Sequence, residues 1–231
     1  MRAIVIVVLI ALAGIALSIA VQPKSKDLTP DPVAREEARR NAMLADTATA
    51  TTPAHIVPDP FPAPKTGVIH GTLTIAGRGS WEFELYPSAA PKTVAHFVDL
   101  VQRKFYDGIK VHRVVPAFVV QMGDPGTRKY SSEQLAKMGA DEMNRAGIGT
   151  GGSGKNIPFE QNDLNNVYGS MAMALSSPRS STGDSQFFIN LNNNHNLDRD
   201  YCVFGRVLGA LDGLSNIRVG DTIQSIVVHN R

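Results

Sequence analysis

Hydrophobic and polar residues alternate with a period of two in several short stretches between residues 67 and 231. Residues 68–75 and 81–85 show this pattern, which is typical of half-buried β-strands, and Gly77-Arg78-Gly79 supplies a turn between them. Further short strands are predicted at 111–115, 118–122, 170–175, 186–191, 203–208 and 223–229. The pattern therefore predicts a domain built mainly from short strands.

Two stretches have the period of an α-helix instead. In the first, between Ser88 and Lys104, Ser88 is predicted to cap the helix and Pro91 to lie in its first turn. Its apolar residues recur at helical spacing at Val94, Phe97, Val98 and Val101. The second is a short helix predicted over residues 210–217. Many short strands and no regular alternation of strand and helix indicate an antiparallel sheet that is closed or sandwiched.

The amino terminus has a different character. Residues 3–21 are 19 consecutive residues without a charged side chain. A run of this length is at the lower limit for a membrane-spanning helix. Ser18-Ile19-Ala20 also offers the small residues of a signal-peptidase site before Val21. A retained membrane anchor and a cleaved signal peptide both fit this pattern. Either one directs the chain to or across a membrane, so we expect an extracytoplasmic protein.

A proline-rich stretch follows this apolar segment. Residues 22–65 contain eight of the fourteen prolines of the chain and few large apolar residues. Such a stretch is extended and solvated, so it is predicted to act as a spacer that does not dock on the domain. The expected organisation is a signal peptide or anchor at 1–21, a linker at 22–65 and a globular domain at 66–231.

Composition and charge limit the possible function classes. The formal net charge of the 231 residues is +2 and no basic run exceeds two residues, so nucleic-acid binding is not expected. The six histidines lack the spacing of metal ligands, and neither a metal nor a cofactor is predicted. The single cysteine, Cys202, excludes an intrachain disulfide and is predicted to be a small buried apolar residue.

The glycine-rich stretch 149–156 has nearly the spacing of a phosphate-binding loop. Asn156 stands where a Ser or Thr would bind Mg²⁺, and Pro158 falls where a helix should follow. No typical strand precedes Gly149. Nucleotide binding is therefore not predicted.

Two segments carry the candidate chemistry. Residues 111–124 place an arginine and a glutamine on an apolar run, and Ser185-Gln186-Phe187-Phe188-Ile189 forms a second apolar run. Together they resemble the active-site signature of the cyclophilins, a family of peptidyl-prolyl cis/trans isomerases that bind cyclosporin. The resemblance extends in the family's order over residues 67–231.

This resemblance implies a fold and a set of roles. The fold would be a closed eight-stranded antiparallel β-barrel with an α-helix capping each end. Arg113 would be the catalytic cation, Gln121 would brace it, and Gln186 would contact the backbone of a proline-containing polypeptide. The pocket for the proline ring would be formed by Phe118, Val119, Phe188 and Leu197. The strand that pairs with the substrate would contain Ala172 and Met173, while His112 and Tyr201 would border the site.

An arginine suits this reaction for a physical reason. The planar amide resists rotation by ~18–20 kcal/mol because its nitrogen shares a lone pair with the carbonyl group. Twisting returns the lone pair to the nitrogen, so a fixed cation beside that atom stabilises the twisted state more than the planar one. Arginine stays charged and its donors are held rigidly, and no nucleophile, metal or proton transfer is required.

The sequence departs from the family pattern at several positions. Asn196 and Tyr201 stand where eukaryotic members have a tryptophan and a histidine, and Met173 stands where asparagine is usual. The difference at Met173 should be tolerated, because the family contact there is made by main-chain groups. The differences at Asn196 and Tyr201 predict weak cyclosporin binding and, together with the apolar segment at 3–21, indicate a bacterial, periplasmic member of the family. Residues 125–148 form an insertion in which a short surface helix is predicted over 132–145.

Two other functions remain open at this point. The chain could be a non-catalytic module that holds proline-containing peptides in the same groove. It could also be a membrane-tethered assembly factor that works mainly through the insertion. An intact Arg113 favours the isomerase, because a pure binder has no need of a charge at the twisting bond.

Overall fold

The structure, a computed structural model, describes residues 59–229. The predicted signal or anchor at 1–21, and the linker as far as residue 58, lie outside the described residues. Within 59–229, no helix has the length and apolar character needed to cross a membrane.

Eight antiparallel strands form one sheet. They are β1 (Ile69–Ile75), β2 (Gly79–Leu85), β3 (Arg113–Val115), β4 (Val119–Met122), β5 (Ser170–Met173), β6 (Phe187–Asn190), β7 (Val203–Val207) and β8 (Ile223–Val228). Their order across the sheet is β3-β4-β6-β5-β7-β2-β1-β8. All eight strands that the sequence predicts are present, and their ends differ from the prediction by at most two residues.

The prediction of a closed barrel is wrong. The two ends of the strand order, β3 and β8, do not pair, so the sheet is a curved half-barrel. Backbone hydrogen bonds still join the segment before β3 to the start of β8. The Gly108 N–H donates to the Ile223 carbonyl at 2.9 Å, the Ile223 N–H donates to the Ile109 carbonyl at 2.8 Å, and the Val111 N–H donates to the Asp221 carbonyl at 2.8 Å. The residues that meet β8 lie before β3, which begins at Arg113, so the two end strands themselves share no ladder.

Alternate residues of the strands face two separate apolar clusters, as the period of two requires. The main cluster contains Val120 and Phe187 from the sheet and packs against Phe97 of the long helix. The second cluster lies on the other face and is the one that carries the candidate pocket. Its buried members include Phe118, Val119, Ala172, Met173, Phe188, Leu197, Tyr201 and Val203.

The helix predicted after β2 is α1 (Pro91–Gln102), but its cap differs from the prediction. The residue before the helix is Ala90, which makes no capping hydrogen bond, and Ser88 lies outside the helix. The carboxylate of Glu160 instead accepts from the backbone N–H groups of Lys92 at 3.0 Å and Thr93 at 2.8 Å. A residue far along the chain therefore caps α1, which no local pattern could reveal.

Two other helix predictions need correction. The insertion contains two short helices rather than one, α2 (Ser132–Lys137) and α3 (Ala140–Arg145), because the chain is extended at Met138 and Gly139 between them. Residues 210–217 form a 3₁₀ turn over Asp212–Asn216 and not an α-helix. The span is short and has Gly213 inside it, a residue that weakens an α-helix.

The end of the proline-rich stretch docks on the domain, contrary to the expectation from its composition. The ring of Phe61 lies 5.7 Å from that of Tyr86, centroid to centroid, and the Arg206 guanidinium lies 5.4 Å from the same Phe61 ring. The Asp59 carboxylate pairs with His195 at 2.7 Å. We call residues 59–65 the docked segment.

Candidate active site

Arg113 and Gln121 lie opposite each other in the β3–β4 hairpin. The Nη1 of Arg113 donates to the Oε1 of Gln121 at 3.1 Å. The Arg113 guanidinium carbon also lies 5.9 Å from the centre of the Phe118 ring, within the range of a cation–π contact. The guanidinium therefore has a hydrogen-bond acceptor and an aromatic ring of the same hairpin beside it, and the bracing role of Gln121 stays a prediction.

A second glutamine continues this hydrogen-bonded chain. The Nε2 of Gln121 donates to the Oε1 of Gln186 at 3.0 Å, and the Nε2 of Gln186 donates to the Gly151 carbonyl at 2.8 Å. We call Arg113, Gln121, Gln186 and Gly151 the amide relay. Since arginine can only donate and a carbonyl can only accept, the two ends of the relay fix the orientation of both amides.

Register places the polar and apolar parts of the site on one face of the sheet. Across β3, β4, β6 and β5 the successive register partners are Arg113, Gln121, Phe188 and Ala172. Side chains of direct cross-strand partners project from the same face. The guanidinium therefore borders the second cluster.

The predicted pocket residues come together in that cluster. Phe118, Val119, Phe188 and Leu197 are each at most 2% exposed and form a continuous apolar floor. The ring of Tyr201 meets that of Phe188 edge to face, with centroids 5.8 Å apart. Tyr201, predicted to border the site, is buried and is part of the apolar floor.

The strand that contains Ala172 and Met173 is not at a sheet edge. Its neighbours are β6 and β7, and the Met173 N–H donates to the Cys202 carbonyl at 3.0 Å. Both side chains are buried in the second cluster. The main-chain contact with a substrate that the resemblance implies stays a prediction.

Two buried titratable groups near the site are held uncharged. Burial lowers the pKa of His112 to about 4, against the opposing influence of Asp124, so the imidazole is neutral near pH 7. The role of His112 as a structural neighbour of the site stays a prediction. Burial raises the pKa of the Cys202 thiol to about 12, as suits a core residue rather than a reactive thiol.

The glycine-rich loop is held by two carboxylates of the protein itself, which sequence reasoning missed. Asp124 accepts from the N–H groups of Gly149 at 2.5 Å and Gly151 at 3.3 Å. Asp184 accepts from Gly154 N–H at 2.9 Å, and also from the Ser153 hydroxyl. These N–H groups resemble an anion-binding nest, and internal carboxylates take the place of an anion.

The charge of Asp184 is stabilised in this position. Burial raises the pKa of its carboxyl group, but hydrogen bonds from Ser153, Gly154 and His96 outweigh that effect and hold the pKa below its usual value. Asp124 directly follows the arginine–glutamine motif, and this adjacency is the one sequence signal that could have identified it. Asp184 directly precedes the second segment, which begins at Ser185, so the same kind of adjacency could have identified it.

A groove runs between this loop and the end of β5, next to the amide relay. It is lined by Gln121, Gly149, Thr150, Gly151, Gly152, Asn156, Ala174, Leu175, Ser176, Thr182, Asp184 and Gln186. Among residues 59–229, no group of three or more His, Cys, Asp or Glu side chains is arranged to hold a metal ion. The site therefore consists of a braced cation, an apolar floor and an adjoining groove.

Comparisons with known proteins identify the family. The family model described as cyclophilin-type peptidyl-prolyl cis-trans isomerase/CLD matches residues 71–230. Peptidyl-prolyl cis-trans isomerase B of Bacillus subtilis is 36% identical over 64% of this chain and 89% of its own. A peptidyl-prolyl cis-trans isomerase of Synechococcus elongatus is 35% identical over 65% of this chain and 90% of its own.

Solved structures show the same fold. The crystal structure of a cyclophilin-type isomerase from Cryptosporidium parvum superposes with a TM-score of 0.56 at 24% identity. The match covers 71% of this chain and 99% of the other. At this identity the likeness concerns the fold alone.

Proposed function

Because the chain belongs to the cyclophilin-type peptidyl-prolyl cis-trans isomerases and has their activity, we propose that Arg113 is the residue that accelerates rotation about X–Pro bonds. The observation that carries this proposal is the position of its guanidinium, held by Gln121 at 3.1 Å beside the apolar floor. A cation fixed at the rim of an apolar surface is what a twisting prolyl amide requires.

The mechanism follows from the electronics of the amide. In an X–Pro bond the cis and trans states differ by only ~0.5–1 kcal/mol, so the barrier and not the equilibrium limits the reaction. As the bond twists, the lone pair returns to the prolyl nitrogen. A donor of Arg113 directed at that nitrogen binds the twisted state more strongly than the planar one. Gln121 keeps the guanidinium oriented, so little reorganisation is needed during the reaction.

The apolar floor would hold the proline ring against this cation. Phe118, Phe188 and Leu197 belong to the cluster that would receive the ring. They are at most 2% exposed, so their side chains would have to shift to contact it. Burying one ring there contributes ~1–2 kcal/mol. That is enough to position a peptide while leaving binding weak, as a helper acting on many polypeptides requires. The adjoining groove would receive the residues before the proline. A relative of the same fold has been crystallised in the presence of the dipeptide Ala-Pro, which supports a substrate of this class.

A prolyl-peptide isomerisation assay on Arg113→Ala tests the proposal. Loss of catalysis with retained peptide binding supports the role of Arg113, and near-normal rates in a folded variant contradict it.

The same variant distinguishes the isomerase from two alternative functions. A peptide-holding module, or an assembly factor acting through residues 125–148, would keep its effect on a polypeptide client when Arg113 is neutralised. Arg103→Ala, which removes an exposed arginine from the end of α1, is the matched control.

The cellular location is a separate part of the proposal. The uncharged run at 3–21 supports export to the bacterial periplasm, either as a cleaved protein or anchored in the inner membrane. Fractionation followed by mass measurement distinguishes these fates. A soluble product starting at Val21 indicates cleavage, and a membrane-bound product with an intact Met1 indicates an anchor. A cytoplasmic product contradicts both.

A further inference from the structure

Asp124 is a buried carboxylate that the reaction itself does not use. It lies two residues beyond the end of β4 and is 0% exposed. Its Oδ1 accepts from the Gly126 N–H at 2.7 Å, and its Oδ2 accepts from Gly149 and Gly151. A buried charge is stable only when such donors satisfy it. Asp124 therefore joins the motif that contains Arg113 to the glycine-rich loop.

Gly151 connects this carboxylate to the amide relay. The N–H of Gly151 is bound by Asp124, and its carbonyl accepts from the Nε2 of Gln186 at 2.8 Å. The approach is so close that a Cβ on Gly151 would lie 2.2 Å from the Oδ1 of Asp124. Only glycine permits this contact, and the position of the Gly151 carbonyl follows from it.

We propose that Asp124 is a positioning residue for the isomerase reaction: by fixing Gly151, it sets the orientation of both glutamine amides and so of the Arg113 guanidinium. This inference rests on the proposed role of Arg113. The relay transmits the effect because each amide has only one orientation that satisfies both of its neighbours. If the Gly151 carbonyl moves, Gln186 loses its acceptor and is free to turn. Gln121 then loses the acceptor of its Nε2 group, so its oxygen is no longer held towards Arg113.

Asp124→Asn is the sharpest change, because it keeps the shape of the side chain and replaces one acceptor oxygen with a donor NH₂. The three N–H groups that Asp124 binds cannot all be satisfied by a single amide oxygen. We expect kcat/KM to fall about tenfold, the effect of losing one well-placed interaction in the transition state. The fall should be mainly in kcat, with KM little changed, since the apolar floor is untouched.

A double-mutant cycle with Gln186→Ala distinguishes positioning from a general loss of structure. If the relay carries the effect, Asp124→Asn should lower kcat/KM in the wild-type background and change it less than twofold when Gln186→Ala has already cut the relay. The side-chain amide NMR signals of Gln121 should also shift in Asp124→Asn. Effects that multiply independently, or an unchanged kcat/KM, would overturn the proposal.

Glu160→Gln is the matched control, because it also weakens a carboxylate that binds backbone N–H groups of a distant segment. It should lower stability and leave kcat/KM unchanged at temperatures below the unfolding transition.

If Asp124→Asn does not fold, Gly151→Ala tests the proposal in its place, because its methyl group displaces the same carboxylate. A folded Gly151→Ala variant with full activity contradicts the proposal. A fully active Arg113→Ala variant rejects the proposed role of Arg113, and with it the positioning role that depends on it. An inactive Arg113→Ala beside an unaffected Asp124→Asn rejects the positioning role alone.

Discussion

Phe61 and Tyr86 pack their rings together, with centroids 5.7 Å apart and an angle of 37° between the ring planes. Phe61 comes from the end of the proline-rich stretch, and Tyr86 directly follows β2 and is fully buried. Arg206 of β7 lies over the same Phe61 ring. The domain as folded therefore includes the docked segment, which begins before the boundary at residue 66 that the sequence predicts.

The first prediction concerns this boundary. Residues 66–231 should still fold and catalyse, because both apolar clusters are built mainly from residues after 66. A fragment that starts at residue 59 should be more stable by about 1–2 kcal/mol, the contribution of a packed aromatic pair with its cation contact. Urea unfolding of the two fragments measures the difference. Phe61→Ala in the longer fragment should reproduce most of it; equal stability of all three proteins contradicts the docking.

A second prediction concerns pH and His195. Hydrogen bonds to Asp59 and Asp198 raise the pKa of His195 above its usual value of 6.5. Protonated His195 therefore stabilises the folded protein through its carboxylate partners. This contribution to the free energy of unfolding is fully present below pH 6.5 and is lost as the pH rises through the raised pKa. The side chains of His195 and Asp59 are about half exposed, so this contribution to stability should stay below about 1 kcal/mol.

NMR titration of the His195 ring checks this directly. Asp59→Asn should lower the pKa of His195, because it removes the largest cause of the shift. It should also flatten the dependence of stability on pH between 6.5 and the raised value. The pair formed by Arg103 and Asp99 on α1 serves as a control, since Asp99→Asn should leave the His195 titration unchanged.

The third prediction concerns the cap of α1. Glu160→Gln should lower the free energy of unfolding by about 1–2 kcal/mol, because the helix loses a charged acceptor at its positive end. Ser88→Ala, at the position that the sequence pattern favours for the cap, should have less effect. Thermal and urea unfolding compare the two variants. A larger loss in Ser88→Ala would show that the capping assignment is wrong.

The fourth prediction tests what kind of cation the reaction needs. Arg113→Ala should lower kcat/KM about a hundredfold, which corresponds to ~2.7 kcal/mol. Arg113→Lys should recover only a small part of that loss, because an ammonium group lacks the rigid fork that donates to Gln121. Full activity of the lysine variant would show that charge alone is sufficient. Circular dichroism of each variant checks that the fold is retained.

A fifth prediction concerns cyclosporin. Asn196 is exposed in the turn that contains Leu197, a residue of the apolar floor. It lacks the indole donor and broad apolar face of a tryptophan, so binding should be weak. Asn196→Trp should tighten binding at least tenfold and leave catalysis almost unchanged. Tight binding by the unaltered protein in a calorimetric titration would reject this explanation.

The sequence by itself determined which strands form and which residues could carry the chemistry. The period of two predicted β1 and β2, since burial of one face of a strand imposes that period on its residues. β5 and β6 are buried at every position and were predicted as short apolar segments without that period. The motif around Arg113 and Gln121 was recognised through its resemblance to a known family, and the two residues lie opposite each other in one hairpin. The inert character of Cys202 followed from its apolar neighbours in sequence.

Only the tertiary structure decided how distant segments meet. That Glu160 caps α1, that Asp124 and Asp184 hold the glycine-rich loop, and that β3 and β8 stay unpaired all depend on contacts between residues far apart in the chain. A polar residue in a loop has the same local pattern whether it is solvated or buried against a distant N–H group. Which of these occurs depends on how the strands are arranged, because the arrangement brings each donor to its acceptor.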